Sequence, residues 1–181
     1  MQWKNTSTRW GLITQLFHWG MLVLILCQYT LAYTMLDLPP SSPQKGALFT
    51  WHKQIGATLL LLVFLRFWWR TSNPIPKDSE KAPWWDSLIA KLNIWVLYLL
   101  MFALPLSGFL MSVLGGHAVS YFGLFTIPAF IDGPNPVATF FLNVHVWSSV
   151  ILYFIVGFHI LGGLYHHFIL KDNILMRMLS Q

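Results

Sequence analysis

The chain contains three long stretches without a single charged side chain. No Asp, Glu, Lys or Arg occurs in residues 10–36, 92–131 or 133–170. A helix needs about 20 predominantly apolar residues to cross the hydrocarbon core of a bilayer, so each stretch is long enough to form a membrane span. Only 9% of the 181 residues are charged and 56% are hydrophobic, whereas soluble domains have about 25% charged residues. The composition therefore predicts an integral membrane protein.

A fourth span is less obvious, because the apolar run between Lys53 and Arg66 has only twelve residues. This run is flanked by tryptophans, Trp51 before it and Trp68 and Trp69 after it, which is typical of anchors at a membrane interface. We therefore predict a span that holds Lys53 and Arg66 inside its ends. The predicted spans are approximately 12–35, 50–69, 92–114 and 139–169. They describe an all-α, integral membrane four-helix bundle in which residues 1–181 form a single domain.

The basic residues indicate how the bundle is oriented. Those on one side of the predicted spans are Lys4, Arg9, Arg70, Lys77, Lys81, Lys91, Lys171 and Arg177. The other side keeps Lys45, with Lys53 close by. The positive-inside rule then places the N-terminus and the C-terminus in the cytoplasm. The net charge of +5 is a signal of topology, and no nucleic-acid partner is expected.

Helix-breaking segments agree with these boundaries. "DLPPSSPQKG" (37–46), "TSNPIPKDSEKAPWWD" (71–86) and "IDGPNP" (131–136) separate the spans. The outer loop, residues 115–132, is apolar but broken by Gly and Pro, and we expect it to lie along the membrane surface. In span three, the motif "LPLSG" (104–108) predicts a kink and a close packing point. Cys27 is the single cysteine, which excludes an internal disulfide.

Four histidines fall at two depths within the predicted spans. His145 and His159 on span four are fourteen residues apart, which is about 21 Å of helix and close to four whole turns. Both rings therefore leave the same side of that helix. His52 on span two lies at the depth of His145, and His18 on span one lies at the depth of His159. The sequence thus predicts an outer pair, His52 with His145, and an inner pair, His18 with His159.

Two imidazoles that face each other inside a bundle are suited to haem iron, whose axial positions lie on opposite faces of a flat ring. Zinc prefers three or four converging ligands, commonly including Cys or carboxylate, and the spans offer no such set. Copper or a proton relay could use histidine alone, but neither explains the paired depths. Lys53 beside the outer pair and Arg66 at the depth of the inner pair need partners in hydrocarbon, and haem propionates would provide them.

Several motifs in the chain resemble those of the bacterial cytochrome b561 family. They are "TQLFHW" (14–19), "HKQIG" (52–56), "RFWWR" (66–70), "LPLSG" (104–108), and the histidines of span four followed by "HHFILKDN" (166–173). The resemblance covers nearly the whole chain. It implies a four-helix protein of the bacterial inner membrane with two haems b, held by His18 with His159 and by His52 with His145.

The function that these observations favour is electron transfer across the inner membrane between a periplasmic donor and the quinone pool. Some family members resemble superoxide:ubiquinone oxidoreductases, so the resemblance implies superoxide as one candidate donor and ubiquinone or another quinone as acceptor. It also places His166 near the quinone, where an imidazole could relay a proton. Two alternatives stay open. The chain could be a haem b anchor subunit that relays electrons for a dehydrogenase or hydrogenase, or a haem-free transporter or proton channel.

Overall fold

The computed structural model describes residues 2–79, 81–131, 133 and 135–179. Within these residues, four helices are long and apolar enough to cross a membrane. They are α1 (Leu12–Asp37), α2 (Pro43–Thr71), α3 (Trp84–Leu114) and α4 (Pro136–Tyr165), the last of which continues into a π-helical turn (His166–Leu170). The predicted all-α membrane architecture with four spans is confirmed. The cytoplasmic placement of the termini stays a prediction.

Helix α1 begins at Leu12, as predicted, whereas α2, α3 and α4 begin earlier than the apolar runs alone predicted. Helix α2 starts at Pro43, whose fixed φ suits the first helical turn, and it therefore includes Lys45 and Lys53. Helix α4 starts at Pro136 behind the N-cap Asn135, whose side chain accepts a hydrogen bond from the Ala138 backbone N–H at 3.0 Å. Hydropathy marks the part of a helix within the hydrocarbon, whereas capping residues mark where the helix itself begins.

Neighbouring helices in the chain pack against one another, α1 on α2, α2 on α3 and, most extensively, α3 on α4. A buried cluster of Met21, Leu59, Val63 and Tyr98 joins the first three helices. Large apolar side chains such as Trp147 and Tyr153 are exposed on the outside of the bundle. An apolar exterior is what a helix bundle in lipid requires, because the surrounding acyl chains are themselves apolar.

The segment between α3 and α4 forms a small hairpin of β1 (Val119–Tyr121) and β2 (Phe125–Ile127). Its turn places Gly123 at a φ of 74°, a backbone conformation that glycine adopts without steric cost. The hairpin packs on α2, where the hydroxyl groups of Tyr121 and Thr58 are 3.2 Å apart. The sequence did not predict this hairpin. We call this end of the bundle the hairpin end, and the opposite end, where the first and last described residues lie, the terminal end.

The described C-terminal segment, residues 171–179, closes the terminal end. After the π-helical turn, Lys171 adopts a left-handed conformation (φ 51°) and reverses the chain, and a short helix α5 (Met176–Leu179) follows. The indole of Trp19 donates a hydrogen bond to the Met178 carbonyl at 3.0 Å, and the Arg177 guanidinium donates one to the Lys77 carbonyl at 2.7 Å. These bonds hold the C-terminal segment against α1 and against the loop between α2 and α3.

Candidate cofactor site

The fold brings the four histidines together as two facing pairs. The ring centroids of His18 and His159 are 6.1 Å apart near the terminal end, and those of His52 and His145 are 6.1 Å apart near the hairpin end. Leu152, midway between His145 and His159 on α4, is fully buried. Helix α4 therefore contributes one ring to each pair, while α1 and α2 contribute the partners.

The spacing within each pair fits a metal ion bound between two imidazole nitrogens. Two metal–imidazole bonds of about 2 Å each, with about 1 Å from each nitrogen to its ring centre, add up to about 6 Å. Within the described residues, no group of three or more His, Cys, Asp or Glu side chains is placed to hold a metal ion. The histidine pairs therefore suit an ion that already has a flat set of other ligands, as haem iron has.

His145 is held from behind by the motif "LPLSG" of α3. Its Nδ1 donates a hydrogen bond to the Leu104 carbonyl oxygen at 2.8 Å, and this oxygen also accepts one from the Ser107 hydroxyl at 2.9 Å. At Gly108, an added Cβ would lie 2.8 Å from both Cε1 and Nδ1 of the His145 ring. The sequence predicted a kink and close packing here. The structure shows that the packing partner is the His145 ring, and that the motif fixes the orientation of this ring.

His159 is held by an amide side chain of α3. Its Nδ1 donates a hydrogen bond to Asn93 Oδ1 at 3.1 Å, and the Asn93 amide in turn donates one to the Ile155 carbonyl at 3.4 Å. Asn93 is buried. With the proton on Nδ1, the Nε2 lone pair of His159 is free to bind a metal, which is the usual arrangement of a histidine ligand and its outer hydrogen-bond partner.

Replacing Asn93 with leucine is expected to disturb the His159 site alone. Leucine has a similar volume but cannot accept the Nδ1 proton, so the imidazole becomes a weaker electron donor and its orientation is less restrained. Loss of such a partner typically costs about 10- to 100-fold in metal affinity or activity. We expect weaker haem retention and a higher reduction potential at the inner pair, measured by spectroscopic redox titration. The outer pair serves as the internal control, and an equal change at both pairs would contradict this role for Asn93.

Arg66 lies beside the inner pair. Its Nη2 is 3.3 Å from His18 Nδ1, and its guanidinium carbon is 5.7 Å from the centre of the Tyr98 ring. A guanidinium only donates hydrogen bonds, so this contact uses the lone pair of His18 Nδ1 and leaves the ring proton on Nε2. A His18 that binds iron through Nε2 would instead carry its proton on Nδ1 and would give up this contact. The cation is thus at the depth that the sequence predicted, although its pairing with a haem propionate stays a prediction.

The outer pair has unsatisfied polar atoms around it. Among the described residues, His52 Nδ1 and Gln28 Oε1 are buried without a hydrogen-bond partner, although the Gln28 amide donates to the His52 carbonyl at 2.9 Å. A buried polar atom without a partner costs about 1–3 kcal/mol. Polar atoms in this position are consistent with a pocket that receives a further polar group.

Lys53 lies next to His52 and borders a cavity of about 230 Å³ between the first turns of α2 and the hairpin. The other residues that line this cavity are Gly46, Phe49, Thr50, Ala118 and Ser120. Lys53 is partly buried there. Lys53 therefore places a positive charge close to the depth of the outer pair, as its sequence position suggested. Its role as a propionate partner stays a prediction.

His166 lies at the terminal end and is buried between two carboxylates. Its Nε2 is 3.0 Å from Asp86 Oδ2, and its Nδ1 is 2.7 Å from Asp172 Oδ2. Burial raises the pKa of Asp172, but hydrogen bonds from His166, the Ile174 N–H and Ser79 outweigh it and hold this pKa below its ordinary value. By contrast, His117 is exposed and His167 is only partly buried.

Several residues of the site were not identified from the sequence: Asn93, Leu104 and Gly108 behind the histidines, and Asp86 and Asp172 around His166. A polar residue within an apolar run was the available signal for Asn93, since such residues in spans mark functional positions. Asp172 is part of the quoted motif "HHFILKDN" and follows His166 by six residues, so its closeness in sequence was the available signal. Asp86 carried no signal, because only the fold brings the start of α3 to the end of α4.

A membrane bundle with facing histidine pairs in its interior belongs to the class of helix bundles that hold a cofactor between their helices. The family model described as prokaryotic cytochrome b561 matches residues 9–181. The chain therefore belongs to the prokaryotic cytochrome b561 family. It is a multi-pass bacterial membrane cytochrome of the haem b type with a role in electron transfer.

Individual relatives agree with this family. Cytochrome b561 homolog 2 of Escherichia coli (strain K12) is 33% identical over 184 residues, covering 100% of this chain and 96% of the relative. The probable superoxide oxidase CybB of Yersinia pestis is 30% identical over 168 residues, covering 91% and 92%. Cytochrome b561 homolog 1 of Escherichia coli (strain K12) is 28% identical over 169 residues, covering 93% and 96%.

Proposed function

We propose that this protein binds two haems b in the bacterial inner membrane and transfers electrons between a periplasmic donor and the quinone pool. The observation that carries the proposal is the two facing histidine pairs at two levels of one bundle. In each pair the ring centroids are 6.1 Å apart. His18 and His159 would hold the inner haem, and His52 and His145 the outer haem. A haem held by two histidines in this way would supply one-electron transfer.

The protein's own residues prepare these sites for electron transfer. Leu104 and Asn93 accept the Nδ1 protons of His145 and His159, so that Nε2 would be the coordinating atom in both rings. The buried Leu152 and the apolar bundle exclude water between the two levels. Arg66 and Lys53 provide positive charge at the inner and outer levels, where they would pair with propionates. The excess of basic residues at the terminal end supports a cytoplasmic position for that end.

Superoxide is the candidate donor that we favour at the hairpin end. The name of the Yersinia pestis relative supports this, as does Lys53 at the cavity, because a positive charge at an entrance attracts a small anion. Two superoxide anions would each lose one electron and leave as O₂. A quinone at the terminal end would take up these two electrons with two protons to give quinol, and His166 is the residue we place beside that reaction.

The experiment that tests this proposal uses the purified protein in detergent or vesicles. We expect two haems per chain by haem extraction, a low-spin spectrum with a sharp reduced α band, and reduction of a short-chain ubiquinone when superoxide is supplied with catalase. A protein without a Soret band would contradict haem binding and favour the transporter alternative. A protein with both haems that turns over no small donor with quinone would favour the anchor-subunit alternative.

His166→Ala tests the acceptor side separately. We expect both haems to be retained, because His166 lies outside the two facing pairs, and quinone reduction to fall by about 100-fold if a positioned proton donor is lost. The exposed His117→Ala is the matched control and should behave as wild type. Unchanged quinone reduction in His166→Ala with both haems present would contradict the role of His166.

A further inference from the structure

The two carboxylates around His166 come from parts of the chain that are far apart in sequence. Asp86 lies in the first turn of α3, and Asp172 follows the π-helical turn at the end of α4. The left-handed Lys171 turns the chain back so that Asp172 reaches His166 Nδ1. The side chains of His166, Asp86 and Asp172 are 9%, 14% and 4% exposed. We call these three residues the Asp–His–Asp cluster.

The geometry of the Asp–His–Asp cluster requires more than one proton. A neutral imidazole carries one N–H, so it can donate to one carboxylate but not to both. Contacts of 3.0 Å and 2.7 Å at the two ring nitrogens are both hydrogen bonds only if the ring is an imidazolium or one carboxyl is protonated. Without this second proton, a nitrogen lone pair would face a buried carboxylate, which is repulsive. The observed arrangement therefore holds an exchangeable proton.

Two lysines of the terminal end, Lys81 and Lys91, have partners other than the Asp–His–Asp cluster. The charged groups in contact with His166 are Asp86 from α3 and Asp172 from the C-terminal segment. Lys81 donates to the Lys171 carbonyl at 2.8 Å, and Lys91 pairs with Asp78 at 2.8 Å. The proton on the Asp–His–Asp cluster is therefore balanced mainly by its own two carboxylates. Asp86 is the more exposed of the two and is the natural point of exchange with water.

We propose that Asp86, His166 and Asp172 form a proton-exchange site that delivers protons to the quinone reduced at the terminal end. The inference rests on the proposed function, since it names the proton source for that reaction. It also changes the role of His166. Both ring nitrogens face carboxylates, so His166 acts as a proton carrier within the cluster, with Asp86 as the entry point from water and Asp172 as the exit toward the quinone.

The proton transfer balances with the electron transfer. Conversion of a quinone to a quinol takes two electrons and two protons, and each proton forms an O–H bond on a quinone oxygen. In each transfer, the Nδ1–H bond of the His166 imidazolium breaks, its proton passes through the Asp172 carboxylate to the quinone oxygen, and the ring becomes neutral. A proton from water then enters through Asp86 and restores the imidazolium. Two such transfers match the two electrons that the external donor supplies.

The test compares Asp86→Asn and Asp172→Asn with Asp78→Asn in the holoprotein. Asp78 is a carboxylate of the same end that pairs with Lys91 instead of His166. The first measurement is reoxidation of the pre-reduced protein by short-chain ubiquinone across a range of pH. We expect Asp86→Asn and Asp172→Asn to be slowed by about 100-fold at neutral pH, the lower limit for loss of a positioned proton donor. Asp78→Asn should match wild type, and Asp86→Glu should recover part of the rate.

The second measurement needs no quinone. In wild type, the reduction potential of the inner haem should fall with rising pH as the Asp–His–Asp cluster loses its proton, because the nearby charge becomes more negative. This curve should shift in Asp86→Asn and Asp172→Asn, because each variant lacks one of the two carboxylates that hold the proton. It should be unchanged in Asp78→Asn. Haem content, read from the spectrum, verifies that each variant is folded.

The outcomes separate the two proposals. Wild-type rates and an unshifted potential curve in Asp86→Asn and Asp172→Asn would overturn the proton-exchange site and leave quinone reduction standing. If wild type fails to react with quinone while the potential curve still shifts in both variants, quinone reduction is overturned and proton exchange at the cluster is supported. If Asp86→Asn loses its haems, Asp86→Glu and Asp172→Asn decide the question in the same two measurements.

Discussion

Replacing His159 with alanine is expected to lower the haem content from two to one per chain and to remove the inner haem. His18 and His159 face each other with ring centroids 6.1 Å apart, so each ring would supply one of the two axial bonds, and alanine removes one of them completely. His145→Ala should remove the outer haem in the same way. Haem extraction measures the number, and a redox titration shows which of the two potentials is missing.

The control for both changes is His117→Ala, because His117 is an exposed histidine at the hairpin end and should have no effect on haem content. The two levels lie about 21 Å apart along α4, which is far enough for the sites to be filled independently. Loss of both haems from either single change would contradict the pairing, and retention of two low-spin haems in either variant would contradict the ligand assignment.

Replacing Gly108 with alanine is expected to produce the second largest effect and to act on the outer haem alone. The added Cβ would lie 2.8 Å from two atoms of the His145 ring, so the ring must move away from its hydrogen bond with the Leu104 carbonyl. Overpacking of a buried site typically costs about 1–3 kcal/mol, which corresponds to a loss of affinity of roughly 5- to 150-fold. Titration of haem into the variant, followed at the Soret band, measures this change.

Gly157→Ala is the matched control for Gly108→Ala. Gly157 is also within a span, on α4, but no atom lies within 4 Å of its added Cβ. We expect this variant to bind both haems as wild type does. If Gly108→Ala retains the outer haem with unchanged affinity and potential, then close packing of α3 against the His145 ring does not position this ligand.

The sequence predicted the four helices because a membrane span depends mainly on local composition. About 20 apolar residues form a helix in lipid irrespective of the rest of the chain, since the backbone must satisfy its own hydrogen bonds there. The span between Lys53 and Arg66 shows the limit of hydropathy. It was identified from its flanking tryptophans, and the structure shows why its charges are tolerated: Arg66 contacts His18, and Lys53 borders a cavity.

The hairpin between α3 and α4 was not predicted, because its strands are only three residues long and depend on packing against α2. The prediction for the motif "LPLSG" was incomplete for a similar reason. Local sequence indicates that Gly108 permits close approach, but it does not indicate which side chain approaches. That partner, His145, lies on the next helix and is set by how α3 and α4 pack.

The sequence by itself determined the membrane class, the number of spans and the depth of each histidine, because span length and helical rise depend on local residues alone. It also determined that His145 and His159 share one side of α4, since fourteen residues are close to four whole turns. Tertiary structure decided what surrounds these side chains. Asn93 behind His159, Gly108 beside His145, and Asp86 against His166 all come from α3, and the rotation and packing of a helix against its neighbours depend on contacts distributed over its whole length.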